Sequence, residues 1–173
     1  MKYYRIHMVS LALRGKSITF KGEDDYNTPK SAWEGISKFL PKNKIIYEPF
    51  YSNGSSGRYL RELGCTNVIH DNVDFFTNTY EYDVIISNPP FSHKQRIFKE
   101  LERLDKPFIL LLPVSIITKQ FYHYFSNKCG LIIPPTRIQF EKNNVPLSRC
   151  WFDCIFVCYK IEGVKEREII YIE

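Results

Sequence analysis

An apolar run long enough to cross a bilayer is missing from this chain; nothing approaches the ~20 residues that a spanning helix requires. The amino-terminal residues also lack the basic, apolar and small-residue series of a secretory leader. The expectation is an intracellular, non-secreted protein with no membrane among its partners. Paired Cys-x-x-Cys spacing is absent as well, and the five cysteines are odd in number, which excludes a disulfide scaffold and suits a reducing compartment. Cys150, Cys154 and Cys158 recur every four residues. On a strand such positions share a face but stand about 13 Å apart, too far for one ion, so core packing is expected and no metal. A true phosphate-binding loop is excluded too: Gly15-Lys16-Ser17 mimics its end, but the leading glycine position is Ser10. Charge of one sign is in modest excess, +5 and unclustered, which is compatible with an anionic partner such as nucleic acid without identifying one. Internal repeats and low-complexity segments are likewise absent.

What is present is an ordinary globular composition, 44% hydrophobic and 25% charged, in 173 residues, enough for one domain with a full core. Residues 1–24 read as a basic arm and 25–173 as the domain. Apolar stretches rich in β-branched residues predict strands at Lys44–Glu48, Thr66–His70, Tyr82–Ile86, Pro107–Leu112, Leu131–Ile133, Arg137–Phe140 and Trp151–Ile161. Helical spacing predicts helices over Lys30–Leu40, Ser55–Leu63, His93–Leu104 and Ile116–Asn127. Thr28 is expected to cap the first, with Pro29 at its opening position, Gly64 to close the second, and Ser115 to cap the last. The alternation implies an α/β fold around a mostly parallel sheet. Only twelve residues separate His70 from Asp83, so the helix and strand usual at that point should be reduced or absent. Residues Glu141 to Arg149 read as a polar loop and Gly163–Glu173 as a short tail.

The most informative stretch is Ser87-Asn88-Pro89-Pro90-Phe91. Pro89 cannot donate a ladder hydrogen bond and biases Asn88 toward an extended backbone, so the strand must stop there. An amide is thereby displayed on a stiff loop at a strand's carboxyl end, where open α/β sheets bind ligands. An exocyclic aromatic amine is a poor nucleophile because its lone pair is delocalised into the ring. The Asn88 amide oxygen and the Pro89 carbonyl can accept its two N–H bonds and favour a pyramidal nitrogen. Pro90 stiffens that carbonyl, and Phe91 offers a ring for a base swung out of its helix.

Asn88-Pro89-Pro90-Phe91 resembles the catalytic motif of S-adenosylmethionine-dependent amino methyltransferases, chiefly those acting on adenine or cytosine in nucleic acid. Three further segments fall in that family's order. Tyr26-Asn27-Thr28-Pro29 is similar to the segment that packs against the methionine end of the cofactor. Glu48-Pro49-Phe50-Tyr51-Ser52-Asn53-Gly54 resembles the cofactor loop, with Ser52 standing where the family has glycine. Asp71 would accept the ribose hydroxyls, although a surface turn explains it equally well, and Asp74-Phe75-Phe76 resembles the step that holds the adenine ring. The resemblance implies a Rossmann-like three-layer class I methyltransferase fold with an antiparallel C-terminal strand and a reduced or absent third strand. It implies a cofactor, S-adenosylmethionine, and among substrates most closely the adenine amine of DNA, as in compact enzymes of phage or large-virus type that work in a host cell. RNA adenine, protein glutamine and a catalytically inactive binding or structural subunit stay open. The chain holds no separate target-recognition domain, which leaves room for a protein partner that supplies recognition; the oligomeric state is undetermined. On the helix expected over His93–Leu104, Lys94, Arg96, Lys99 and Arg103 could meet phosphates.

Overall fold

The computed structural model describes residues 26–142, 145–147 and 152–173. The expected arm, the Gly15-Lys16-Ser17 fragment, Cys150 and Trp151 lie outside these residues, as do Asn143, Asn144, Ser148 and Arg149 of the polar loop.

The elements in chain order are α1 (Lys30–Gly35), β1 (Ile45–Tyr47), α2 (Ser55–Glu62), β2 (Asn67–Ile69), β3 (Val84–Ser87), α3 (Lys94–Leu104), β4 (Phe108–Pro113), β5 (Cys129–Ile133), β6 (Glu141–Lys142), β7 (Val145–Pro146), β8 (Cys154–Tyr159) and β9 (Ile169–Tyr171). Seven strands form one mixed sheet in the order β2-β1-β3-β4-β8-β5-β9. β1 pairs in parallel with both β2 and β3, and β3 with β4. β8 runs antiparallel between β4 and β5, while β9 lies parallel to β5 at the far edge. This is the expected α/β, Rossmann-like arrangement: β2 is an edge, and residues 70–83 contain neither helix nor strand.

β3, β4 and β8 are buried at every position, and apolar but for Ser87 at the tip of β3, because both faces are covered. Ile109 and Leu111 of β4 join Val84, Ile86, Cys154, Phe156 and Cys158 in one cluster, with Trp33 of α1 and Leu60 of α2 packed on it. Phe108, Leu110 and Leu112 point to the other face with Ile85, Val157 and Tyr159, under Ile97, Phe98 and Leu101 of α3. Strand alternation thus yields three layers. Cys154 and Cys158 share one face and are buried in the core; burial pushes Cys158 up to about 12.

Five expectations are corrected. The first helix begins one residue later than expected: Pro29 is its cap residue, with no side-chain cap bond, so Thr28 does not cap it. This helix also yields to a 3₁₀ turn at Ser37–Phe39. Ile116–Asn127 is not an α-helix but two 3₁₀ turns, Val114–Thr118 and Gln120–Tyr122, broken at the extended Lys119, and neither has a side-chain cap, Ser115 included. Val114, Ile116, Ile117, Thr118 and the rings of Phe121, Tyr122, Tyr124 and Phe125 are weak helix formers, and burial of Ile116, Tyr122 and Phe125 decides the path instead. Arg137–Phe140 forms no strand; Ile138 and Phe140 are buried individually from an irregular segment. Within the expected polar loop, β6 and β7 pair antiparallel, and Asn27 exchanges both backbone bonds with Glu141, at 2.8 and 2.9 Å. Finally, the supposed tail supplies β9. Its approach runs so close over Gly130 that a Cβ there would stand 2.5 Å from the Lys165 carbonyl oxygen.

α2 closes as expected. Gly64 adopts φ +95, its N–H donates to Arg61 O, and Cys65 N–H donates to Leu60 O, a Schellman motif. No helix among the described residues is long and apolar enough to cross a membrane.

Candidate active site

The strand order reverses at β1: the chain steps outward to β2, then returns to the other side of β1 as β3. In open α/β sheets the crevice outside such a point is where ligands bind. Here the loops leaving β1 and β3 stand side by side, since Ile46 pairs with Val84 and Tyr47 with Ile85.

The two tips are tied by a buried bond. Ser87 Oγ donates to Glu48 Oε1, and Phe50 N–H donates to the same oxygen at 3.1 Å. Ser56 adds a further bond to this carboxyl. Glu48 is only 1% exposed, and desolvation outweighs these bonds, raising its pKa to about 7. His70, at the end of β2, fastens the same loop from the other side: its Nδ1–H donates to the Glu48 carbonyl at 2.9 Å. Burial lowers the His70 pKa, and its Nε2 is left without a partner. The ring lies so close under α2 that a Cβ on Gly57 would fall 2.4 Å from it, so only glycine fits there.

Between the loops lies a cavity of about 500 Å³. Nine residues singled out from the sequence line it: Tyr26, Pro49 and Phe50; Asp74 and Phe75; and Asn88, Pro89, Pro90 and Phe91. Phe50 and Phe75 meet at 5.4 Å between ring centroids. Phe91 packs edge-on against Phe152 at 5.0 Å and beside Tyr26 at 6.5 Å. Cations crown two of the lining rings: Arg96 Cζ sits 3.6 Å from the Phe76 centroid and Lys94 Nζ 4.8 Å from that of Phe91.

Five other expected residues are not on the cavity wall. Thr28 and Glu48 are buried behind it. Pro29 lines a groove beside α1 instead. Gly54 sets the turn into α2 at φ +80. Asp71 is exposed and accepts a bond from Tyr80 OH at 3.1 Å. Conversely, Asn72, Val73 and His93 line the cavity without having been singled out for it, and Phe76 of the Asp74-Phe75-Phe76 step lines it too. Adjacency to Asp74 and to Phe91 was the available signal. Ser52, the departure from glycine, also lines the cavity and takes the left-handed φ +45; its Oγ donates to Asn27 Oδ1 at 2.9 Å and joins the β1 loop to the 26–28 segment.

One atom stands apart. Asn88 Oδ1 is buried and has no hydrogen-bond partner, although Asn88 is a lining residue. A buried acceptor in that state costs about 1–3 kcal/mol relative to a satisfied one. Among the described residues no cluster of His, Cys, Asp or Glu could hold a metal ion.

No protein-family model and no curated protein matches the chain. Among solved structures, one from Listeria monocytogenes described as a candidate class I S-adenosylmethionine-dependent methyltransferase superposes with a TM-score of 0.46 at 13% identity. The match covers 91% of this chain and 67% of that one.

Proposed function

We propose that this chain transfers a methyl group from S-adenosylmethionine to the exocyclic amine of adenine in DNA. The observation that carries the reading is the orphaned, buried Oδ1 of Asn88, a residue that lines the cavity, for which a substrate N–H is a fitting donor. The neighbouring Pro89 carbonyl takes the second N–H, and together the two acceptors hold the amine with its lone pair free. Phe91 and Tyr26 supply ring surface for the base. The cavity has the volume of a small-molecule site, with Phe50 and Phe75 as one wall and Asp74 at its rim, and these residues would hold the cofactor. Its contribution when bound is an electrophilic methyl on a sulfonium. The amine nitrogen forms the new C–N bond, the methyl–sulfur bond breaks, and the surplus amine proton leaves to solvent. Rate enhancement then comes from positioning and fixed dipoles. Arg96 and Lys94, over the lining rings of Phe76 and Phe91, suit a substrate carrying phosphates.

The test is calorimetric titration with S-adenosylmethionine, followed by transfer of labelled methyl to duplex DNA, structured RNA or a protein extract. Binding and labelled adenine in DNA are expected. Label in RNA or on protein glutamine moves the substrate and keeps the chemistry. Absence of cofactor binding overturns the enzyme reading in favour of a binding or structural subunit.

A further inference from the structure

A second cavity, of about 930 Å³, lies at the opposite end of the same strands. Its walls come from residues 38–44 before β1, Asp83 and Val84 at the start of β3, Pro107 before β4, and residues 160–163 after the antiparallel β8. Lys38, Lys42 and Lys44 stand on one seven-residue segment of this wall, and none has an ion-pair partner among the described residues. The fourth lining lysine is matched already, since Lys160 Nζ lies 2.8 Å from Asp105 Oδ2. Of the lining carboxylates, Asp83 is committed to the Ile45 N–H at 2.8 Å, and Glu162 is exposed on the separate 160–163 segment. The floor is apolar, with Val84 and Ile161 buried, and it includes the half-buried ring of Phe39 under Lys38 Nζ at 5.0 Å.

We propose that this cavity is a second binding site, one that takes a nucleotide: phosphates on the three lysines, and the base against Phe39. Several separate ammonium groups suit a ligand with several negative charges better than a single carboxylate. A flat aromatic surface beside them suits a base, and is sequence-tolerant. The site is independent of the methyl-transfer reading, because it shares no lining residue with the first cavity.

The test uses the full chain and three probes: adenosine triphosphate, inorganic triphosphate and a short labelled single-stranded oligonucleotide, each titrated at low and high salt. Adenosine triphosphate should bind more tightly than inorganic triphosphate, and binding should weaken as salt rises. Replacing the three lysines together, Lys38→Gln, Lys42→Gln and Lys44→Gln, should weaken it by about tenfold or more. Lysine-to-arginine replacements at the same positions should preserve it, and S-adenosylmethionine titration of the glutamine variant should be unchanged. Competition between the oligonucleotide and adenosine triphosphate assigns the site to a strand's nucleotides; binding of adenosine triphosphate alone assigns it to a free nucleotide. Equal binding of all probes by wild type and glutamine variant, or no binding by wild type, overturns the proposal.

Discussion

The tips of β1 and β3 are neighbours, yet their buried polar groups are in opposite conditions. Glu48 is enclosed and bonded by Ser87, Phe50 and Ser56, while Asn88 Oδ1, one residue past the strand it ends, is enclosed and bonded by nothing. A satisfied buried group builds the architecture. An unsatisfied one on a residue lining a cavity is the group to which the proposed substrate amine is assigned. The first holds the two loops together so that the second keeps its place.

The sharpest way to break this contrast is to remove each group in turn. Asn88→Ala should lower methyl-transfer turnover on the order of 100-fold or more, as loss of one transition-state partner does, while S-adenosylmethionine affinity stays nearly constant. Steady-state kinetics beside calorimetry measures both, and unchanged turnover removes Asn88 from the chemistry. Glu48→Ala should act the other way round, on the fold. It strips the Ser87 and Phe50 donors of their acceptor and opens a void, at about 2–4 kcal/mol in denaturant unfolding.

A smaller effect concerns protons. Glu48 titrates near 7 in the fold and in the ordinary carboxylate range when unfolded, so the folded state binds the extra proton. Its contribution to stability is fully present below about 4.5, declines as pH rises, and is gone above about 7. His70 has the reverse sign: burial lowers its pKa, so its contribution is present above the ordinary imidazole range and is lost as pH falls through the depressed value. Unfolding of Glu48→Gln across pH 4 to 8 should lack the first slope and keep the second. The smallest change separates backbone strain from bonding at Ser52. Ser52→Ala keeps the left-handed residue and loses the bond to Asn27, and should cost about 1 kcal/mol. Ser52→Gly also relieves the φ and should cost less, in the same unfolding measurement.

The half of the sheet built from β1 to β4 was legible because its cues are local. Ile45-Ile46-Tyr47, Val84-Ile85-Ile86 and Phe108–Leu112 are short β-branched or apolar runs, each ended by a proline or a polar turn. The missing third strand was legible from spacing alone. Beyond β8, β5 was legible in the same way at Leu131–Ile133, but β9 was not. Ile169, Tyr171 and the charged residues before them read as a solvated tail, since β9 is an edge strand with both residues exposed. The signal for its docking was Gly130, a glycine inside an apolar strand. At the site, the prolines after Asn88 announced a rigid display, whereas Tyr80 bonding to Asp71 depends on a turn that no periodicity describes. The helix expected over Ile116–Asn127 does not form because the β-branched and aromatic content of this segment, which apolar spacing does not register, disfavours it.

β8 is interleaved between β4 and β5, both of which precede it in the chain. During vectorial synthesis β4 therefore waits with one flank open, and β5 has nothing to join, until residue 159 has left the ribosome. The β1 to β4 half is complete in sequence by residue 113, and the later antiparallel strand is the link that joins β5 and β9 to it.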